Sequence, residues 1–408
     1  MKAIKDVSLL WVTNFIGAVA AFSVQVLVAR SIESYEYGMF SMVLSAAYIL
    51  SPVINFGGNQ SIVKICIERG QPPGYTSRTI SFAAINIFFA ILVVGFILLF
   101  FSNEYHKYLI VFFAILFSAL GQAANELKIA GAQAILNYRS VAWLQLAPHF
   151  FRFLLVIAIT IFGGGIELYF YAYICVGLLL AIFVFMEFFE YLRIKNSINI
   201  KDLFNESYGF VIIAISHSIF FQAGGVIVGI LHGPDIAADY GAAYTIYSAI
   251  YLIPSVLYQR YLSPKIYFWA KNDRKKLKDI YRLGNYVMFF SGGGIGAVIF
   301  LLSESIVNFI YGEKYPNAGY VLEIIALSTP FMFLTFNSGG ILGTLNNVKD
   351  KYKIMFFVAN FSLAIYFSLG FYFKSNGVAV GVVVSNIVLC VLYMIFATKF
   401  VNLGVKSE

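Results

Sequence analysis

About twelve stretches of this chain are continuously apolar for close to the length of a membrane-crossing helix, and no other feature limits its possible folds so strongly. They lie near 9–29, 37–56, 79–101, 108–125, 141–162, 168–189, 208–231, 237–257, 284–302, 320–345, 354–373 and 378–400. A water-soluble domain does not tolerate 60% hydrophobic and only 12% charged residues. Lipid-facing strands would alternate in polarity over roughly ten residues, which these runs do not do, so the spans are expected to be helices. No small-residue cleavage site follows the first run, and it is expected to be retained as a span.

The basic residues supply an orientation. With the N-terminus placed inside, 23 of the 28 Lys and Arg fall on the cytoplasmic side, and only Arg30, Lys107, Lys314 and Lys374 fall outside. Arg152 alone sits near the middle of a span. Both termini are therefore expected in the cytoplasm. The +8 net charge requires no nucleic acid: the cluster from Lys271 to Arg282 reads as an anchor beside anionic lipid, and no loop is long enough to fold into a nucleic-acid-binding domain.

The chain also repeats at half its length. Glu36–Ile54 laid over Asp239–Leu257 at an offset of 203 gives six identities, including Tyr37/Tyr240, Gly38/Gly241 and Tyr48/Tyr251. Each copy opens the second span of a six-span half, so the halves enter the membrane in the same sense. The expected fold is all-α: twelve transmembrane helices in two six-helix bundles, related by a pseudo-two-fold axis along the membrane normal. The expected divisions are an N-terminal bundle at 1–189, a polar cytoplasmic linker at 190–207 and a C-terminal bundle at 208–408.

Several chemistries lack their residues. There is no GxxxxGK[ST] loop for nucleotide. No HExxH, Ser/His/Asp set or paired carboxylates appear, so no enzyme and no cofactor is expected. The cysteines Cys66, Cys175 and Cys390 lie in or beside spans without CxxC spacing and read as small buried hydrophobes, with no metal implied.

At three places the sequence resembles a known family. The run Val28–Lys64 (VARSIESYEYGMFSMVLSAAYILSPVINFGGNQSIVK) is similar to the opening of Wzx-type polysaccharide flippases, within the superfamily that also contains multidrug and lipid II exporters. DYGAAYTIYSAI (Asp239–Ile250) and IVNFIYGEKYPNAG (Ile306–Gly319) resemble the family's eighth-helix entry and the loop before its tenth helix. The resemblance implies a bacterial inner-membrane flippase that carries an undecaprenyl-pyrophosphate-linked glycan from the cytoplasmic to the periplasmic leaflet by alternating access. It would work in the lipid bilayer alongside a polysaccharide polymerase and a chain-length regulator. Two other readings stay open: a cation-coupled exporter of small molecules, and a repeat-unit polymerase.

The candidate site residues are the polar groups inside or beside spans. Arg152 stands mid-span, where an unmatched charge costs about 2.5–3.5 kcal/mol on insertion scales. It reads either as a bidentate pyrophosphate ligand or as the partner of a buried acid such as Glu187. His149 precedes it by three residues on the same helical face. Asn14, Gln25 and Arg30 can share one face of the first span, with Arg30 alternatively snorkelling to headgroups. Lys64, Arg260 and Lys265 follow spans two and eight at the cytoplasmic side and read as entry cations or as topology anchors.

In span seven, His217 and Gln222 precede Gly224 and Gly225, which permit close helix approach or local unwinding. These two residues and Glu126 are candidates for ion coupling, with simple interhelical hydrogen bonding as the competing account. Asp239 is expected to cap its helix. In span ten, Pro330 followed by Asn337–Gly340 suggests a discontinuity lining a cavity, with packing as the alternative.

Overall fold

The computed structural model describes residues 2–55, 105–135, 137–191, 200–256, 258, 262–343 and 348–403. Among these every regular element is a helix. In chain order they are α1 (Lys2–Ser31), α2 (Ser34–Asn55), α3 (Tyr105–Ala134), α4 (Tyr138–Phe162), α5 (Ile166–Tyr191) and α6 (Ile200–His232). There follow α7 (Pro234–Val256), α8 (Ser263–Asn272), α9 (Arg274–Tyr311), α10 (Ala318–Ala326), α11 (Thr329–Leu342) and α12 (Val348–Leu403). Seven of the described helices are long and apolar enough to cross a membrane, or eight if the bent pair α10–α11 counts as one span. The expected span at 79–101 lies outside the described residues, as does Cys66.

The chain is a multi-pass membrane protein, and its surface shows why. Phe162 and Phe309, on helices long and apolar enough to cross a membrane, are 88% and 85% exposed. Water would penalise such a surface, whereas hydrocarbon accepts it.

Helix ends follow local chemistry. The Glu36 carboxylate takes the backbone N–H of Glu33 and fixes the start of α2 as in a capping box. Asn137 and Asp273 cap α4 and α9 by accepting from the N–H groups of Ser140 and Lys276. Gly163 closes α4 in the left-handed region at φ 73°, which costs glycine little. The 56 residues of α12 are two helices meeting at Lys374, whose φ of 55° lets the chain double back.

Two compact units divide the chain within α6, as Met1–Ser218 and Ile219–Glu408. Residues 200–207, expected in a linker, already belong to α6. In the first unit α1 packs on α4, and α3 on both α2 and α5. The α3–α5 contact is backbone on backbone: a Cβ on Gly121 would lie 2.5 Å from the Gly177 Cα. In the second unit α11 packs between α9 and α12. On α7, Tyr240, Tyr244, Tyr247 and Tyr251 follow helical spacing on one face, and Tyr247 is held by the Ser328 hydroxyl at 2.7 Å.

Two expectations are revised and one is narrowed. Asp239 does not cap α7, which begins five residues earlier at Pro234; its carboxylate instead accepts from the Asn317 amide at 3.3 Å. At Gly224 and Gly225 the first of the two alternatives holds: α6 runs on as a helix, and the absent Cβ of Gly224 allows the close approach of the Tyr240 hydroxyl from α7. The discontinuity expected around Asn337–Gly340 falls instead between α10 and α11, a 47° bend at Leu327–Ser328 directly before Pro330. Proline at the second position of α11 tolerates a helix start there but not a continuous helix from α10.

Candidate functional site

In the first unit α4 carries a line of polar side chains into the helix packing. Gln145 meets α1, where the Asn14 amide donates to its Oε1 at 2.9 Å. One turn on, the half-buried His149 ring lies beside Gly17 of α1. Next comes Arg152, only 6% exposed. Its guanidinium carbon is 4.7 Å from the centroid of the Tyr173 ring on α5, a cation–π distance. Tyr173 is itself fixed edge-on against Phe40 of α2, at 5.3 Å between centroids. The Arg152 Nε is buried and finds no hydrogen-bond partner among the described residues. A stacked guanidinium with an N–H unmet among the described residues can take an anionic oxygen there.

Gln25 is half-buried and Arg30 is exposed at the far end of α1, so α1 brings only Asn14 into this line. Lys64 and Arg260 lie outside the described residues, as does the side chain of Glu187. Lys265 is exposed on the short helix α8.

The ion-coupling candidates separate. His217 is exposed and Gln222 half-buried on α6, whereas Glu126 on α3 accepts from the Asn55 amide of α2 at 3.0 Å. In the second unit Asn337 is buried and engaged on every side. Its Oδ1 accepts from the Tyr258 hydroxyl at 3.0 Å, and its Nδ2 donates to the Tyr281 carbonyl at 2.9 Å and to Asn285 Oδ1 at 2.6 Å.

Sequence reasoning missed Tyr173 and Asn55, the partners of Arg152 and Glu126. Neither carries a local signal, because each meets its partner only across a helix interface. The tyrosine run of α7 did have a signal, the spacing 240, 244, 247, 251, but aromatic residues are common in spans.

Long apolar helices with a buried guanidinium among them make up a multi-pass membrane protein. The family model described as polysaccharide biosynthesis protein matches residues 3–266, and the chain belongs to that family. The MatE family model also matches, over residues 210–369. A relative in Escherichia coli (strain K12), named "Putative O-antigen transporter", is 26% identical over 192 residues, 46% of each chain. The chain thus matches about half the length of that relative. Among solved structures it resembles lipid II flippase MurJ in an inward closed conformation, with a TM-score of 0.72 at 17% identity over 96% of this chain and 87% of that one. It also resembles a multidrug resistance MATE family transporter of the MOP superfamily in an inward-facing conformation, with a TM-score of 0.70 at 13% identity over 98% and 99%. The fold is the one these two solved structures share.

Proposed function

We propose that this protein is a flippase for lipid-linked oligosaccharide, carrying an undecaprenyl-pyrophosphate-linked glycan from the cytoplasmic to the periplasmic leaflet of a bacterial inner membrane by alternating access. Membership in the polysaccharide biosynthesis family and the partial likeness to a named O-antigen transporter support this substrate class. The charge asymmetry of the loops supports cytoplasmic termini.

The observation that carries the reading is Arg152: a permanent cation, buried, stacked on Tyr173 and with an unmet Nε–H. Keeping such a group in a bilayer costs several kcal/mol unless something offsets it, and a pyrophosphate does. Asn14, Gln145 and His149 on the same line supply neutral hydrogen bonds to the headgroup. The cations Arg30, Lys64, Arg260 and Lys265 would attract the anion on its way, and Gln25 would offer it a hydrogen bond. Transport of this kind transfers no chemical group, and the chain would act as carrier, not enzyme. Polymerase and chain-length regulator proteins would take up the product.

The test is substitution at Arg152 with surface polysaccharide measured at matched protein level. Arg152→Ala should lose most of the polysaccharide and Arg152→Lys should keep part of it. Undiminished polysaccharide in Arg152→Ala would refute the role.

The MatE match over the second half favours one alternative, a cation-coupled exporter of small molecules. That reading predicts altered drug resistance in a deletion strain, with polysaccharide intact.

A further inference from the structure

Helix α4 carries Pro148 in its interior, one turn before Arg152, and runs through it without a break. A proline has no backbone N–H, so the carbonyl one turn back, that of Leu144, cannot receive its usual helical hydrogen bond. Inside a bilayer no water is at hand to replace the donor. Another helix provides it: the side-chain amide of Asn125 on α3, which packs on α4, donates to the Leu144 carbonyl at 2.9 Å. Asn125 is only 7% exposed, and it spends its amide on the one carbonyl that the proline leaves open. Chemistry fixes which end of the amide points there, since its oxygen turned to the same carbonyl would set two acceptors against each other.

The replacement bond stands at a mechanically sensitive place. The proline divides the polar line of α4: Gln145, bonded to Asn14 of α1, precedes it, while His149 and Arg152 follow it. A helix is joined across a proline by fewer hydrogen bonds than elsewhere, and bends concentrate at such points. Counting about 1.5 Å of rise per residue from Pro148, a swing of about 10° would carry the backbone of Arg152 by about 1 Å and that of Phe162 by about 4 Å. A binding constellation tolerates only about 0.5 Å. The guanidinium therefore stays over the Tyr173 ring of α5 only while the direction of α4 beyond the proline is fixed.

We propose that Asn125 is a positioning residue for the anion site: by donating to Leu144 it stands in for the hydrogen bond that Pro148 withholds, and so holds Arg152 in place on Tyr173. The residue type follows from the task. Leucine would fill the same space but leave the carbonyl open, and an ionised aspartate would bring only acceptors.

This role rests on the flippase reading for its purpose, yet its readout is the geometry of α4 and needs no substrate. The full-length protein, with Cys66, Cys175 and Cys390 replaced by alanine, is spin-labelled at Phe15→Cys and Phe162→Cys and placed in lipid nanodiscs. These positions are 70% and 88% exposed, one on α1 and the other on α4 beyond the proline. Double electron–electron resonance reads the distance between them. Asn125→Leu should shift or broaden the distribution by about 4 Å or more. Pro148→Ala restores a backbone N–H for Leu144, so in that background the same Asn125→Leu should leave the distribution as it is in Pro148→Ala alone. An amide needed merely to fill a buried space would lower the thermal midpoint in both backgrounds and move the distances in neither. Wild-type distances in Asn125→Leu, or an equal disturbance in both backgrounds, would therefore overturn the proposal. Should Asn125→Leu not fold, the double variant decides: the proposal expects it to fold, and equal failure overturns it.

In cells Asn125→Leu should lower surface polysaccharide at least about fivefold at matched protein level, as a misplaced ligand does. Undiminished polysaccharide in that variant would overturn the link to Arg152. Undiminished polysaccharide in Arg152→Ala instead overturns the flippase reading and leaves the distances as they are, so the two fail separately.

Discussion

The Arg152 guanidinium lies over the Tyr173 ring at 4.7 Å, and this one contact joins the only buried cation of α4 to the aromatic packing of α5 and α2. The ring accounts for how a charge is held ready in apolar surroundings. It offers a face of negative quadrupole worth about 0.5–2 kcal/mol, too little to cancel the cost of burial alone.

Tyr173→Phe should therefore leave transport close to wild type, since the ring is kept. Tyr173→Ala should remove the stack and about 3–5 kcal/mol of stability along with it. Surface polysaccharide per folded protein, with thermal unfolding of the purified variants, checks both. Equal loss in the two variants would mean that the hydroxyl matters and the stack does not.

Asn337 should behave as a structural residue. Asn337→Ala leaves the Tyr258 hydroxyl and the Tyr281 carbonyl without their partner, a loss of about 2–4 kcal/mol when the buried groups stay unsatisfied. Thermal midpoint measurement in detergent should show that drop. Loss of transport at unchanged stability would instead return Asn337 to the substrate path.

This residue shows what the sequence conveys and what it does not. The apolar runs announced the helices, because a bilayer imposes length and polarity on every span independently of its neighbours. Arg152 was legible for the same reason, as a charge out of place. Asn337 was noticed for its polarity and glycine neighbours, but whether an amide faces a cavity or closes a network depends on helices some 50 to 80 residues away in sequence. The short helix α8 was missed entirely: its ten residues include Lys265, Lys271 and Trp269, and no apolar run marks it. The bend at Leu327–Ser328 was announced by Pro330 but assigned to the wrong side of it, because a proline at a helix start and a proline within a helix read alike.

Glycines separate tight packing from open surface. Gly177→Ala should destabilise by about 1–3 kcal/mol, since the new Cβ would run into the Phe117 carbonyl oxygen on α3. Gly293→Ala on α9 meets nothing within 4 Å and should be neutral or stabilising by up to about 1 kcal/mol. Midpoints of the two variants measured side by side test whether α3 and α5 touch through their backbones.

The basic start of α9 should act as an anchor. Arg274 stacks 4.3 Å from the Phe400 ring of α12, and Lys276 lies 5.3 Å from the Trp269 ring of α8. Replacing Lys275 and Lys278, neither part of these stacks, by Gln should weaken attachment to anionic lipid by about 1 kcal/mol each and leave folding intact. Co-purified anionic lipid, quantified by mass spectrometry, measures it; unchanged lipid would show that the cluster has another role.

The most direct measurement is the leaflet distribution of the lipid-linked oligosaccharide in cells depleted of this protein, scored by a glycan label that reaches only the periplasmic face. The account predicts that the lipid-linked units accumulate facing the cytoplasm and become accessible again when wild type, but not Arg152→Ala, is restored. Units reaching the periplasmic face at the normal rate without the protein would contradict it.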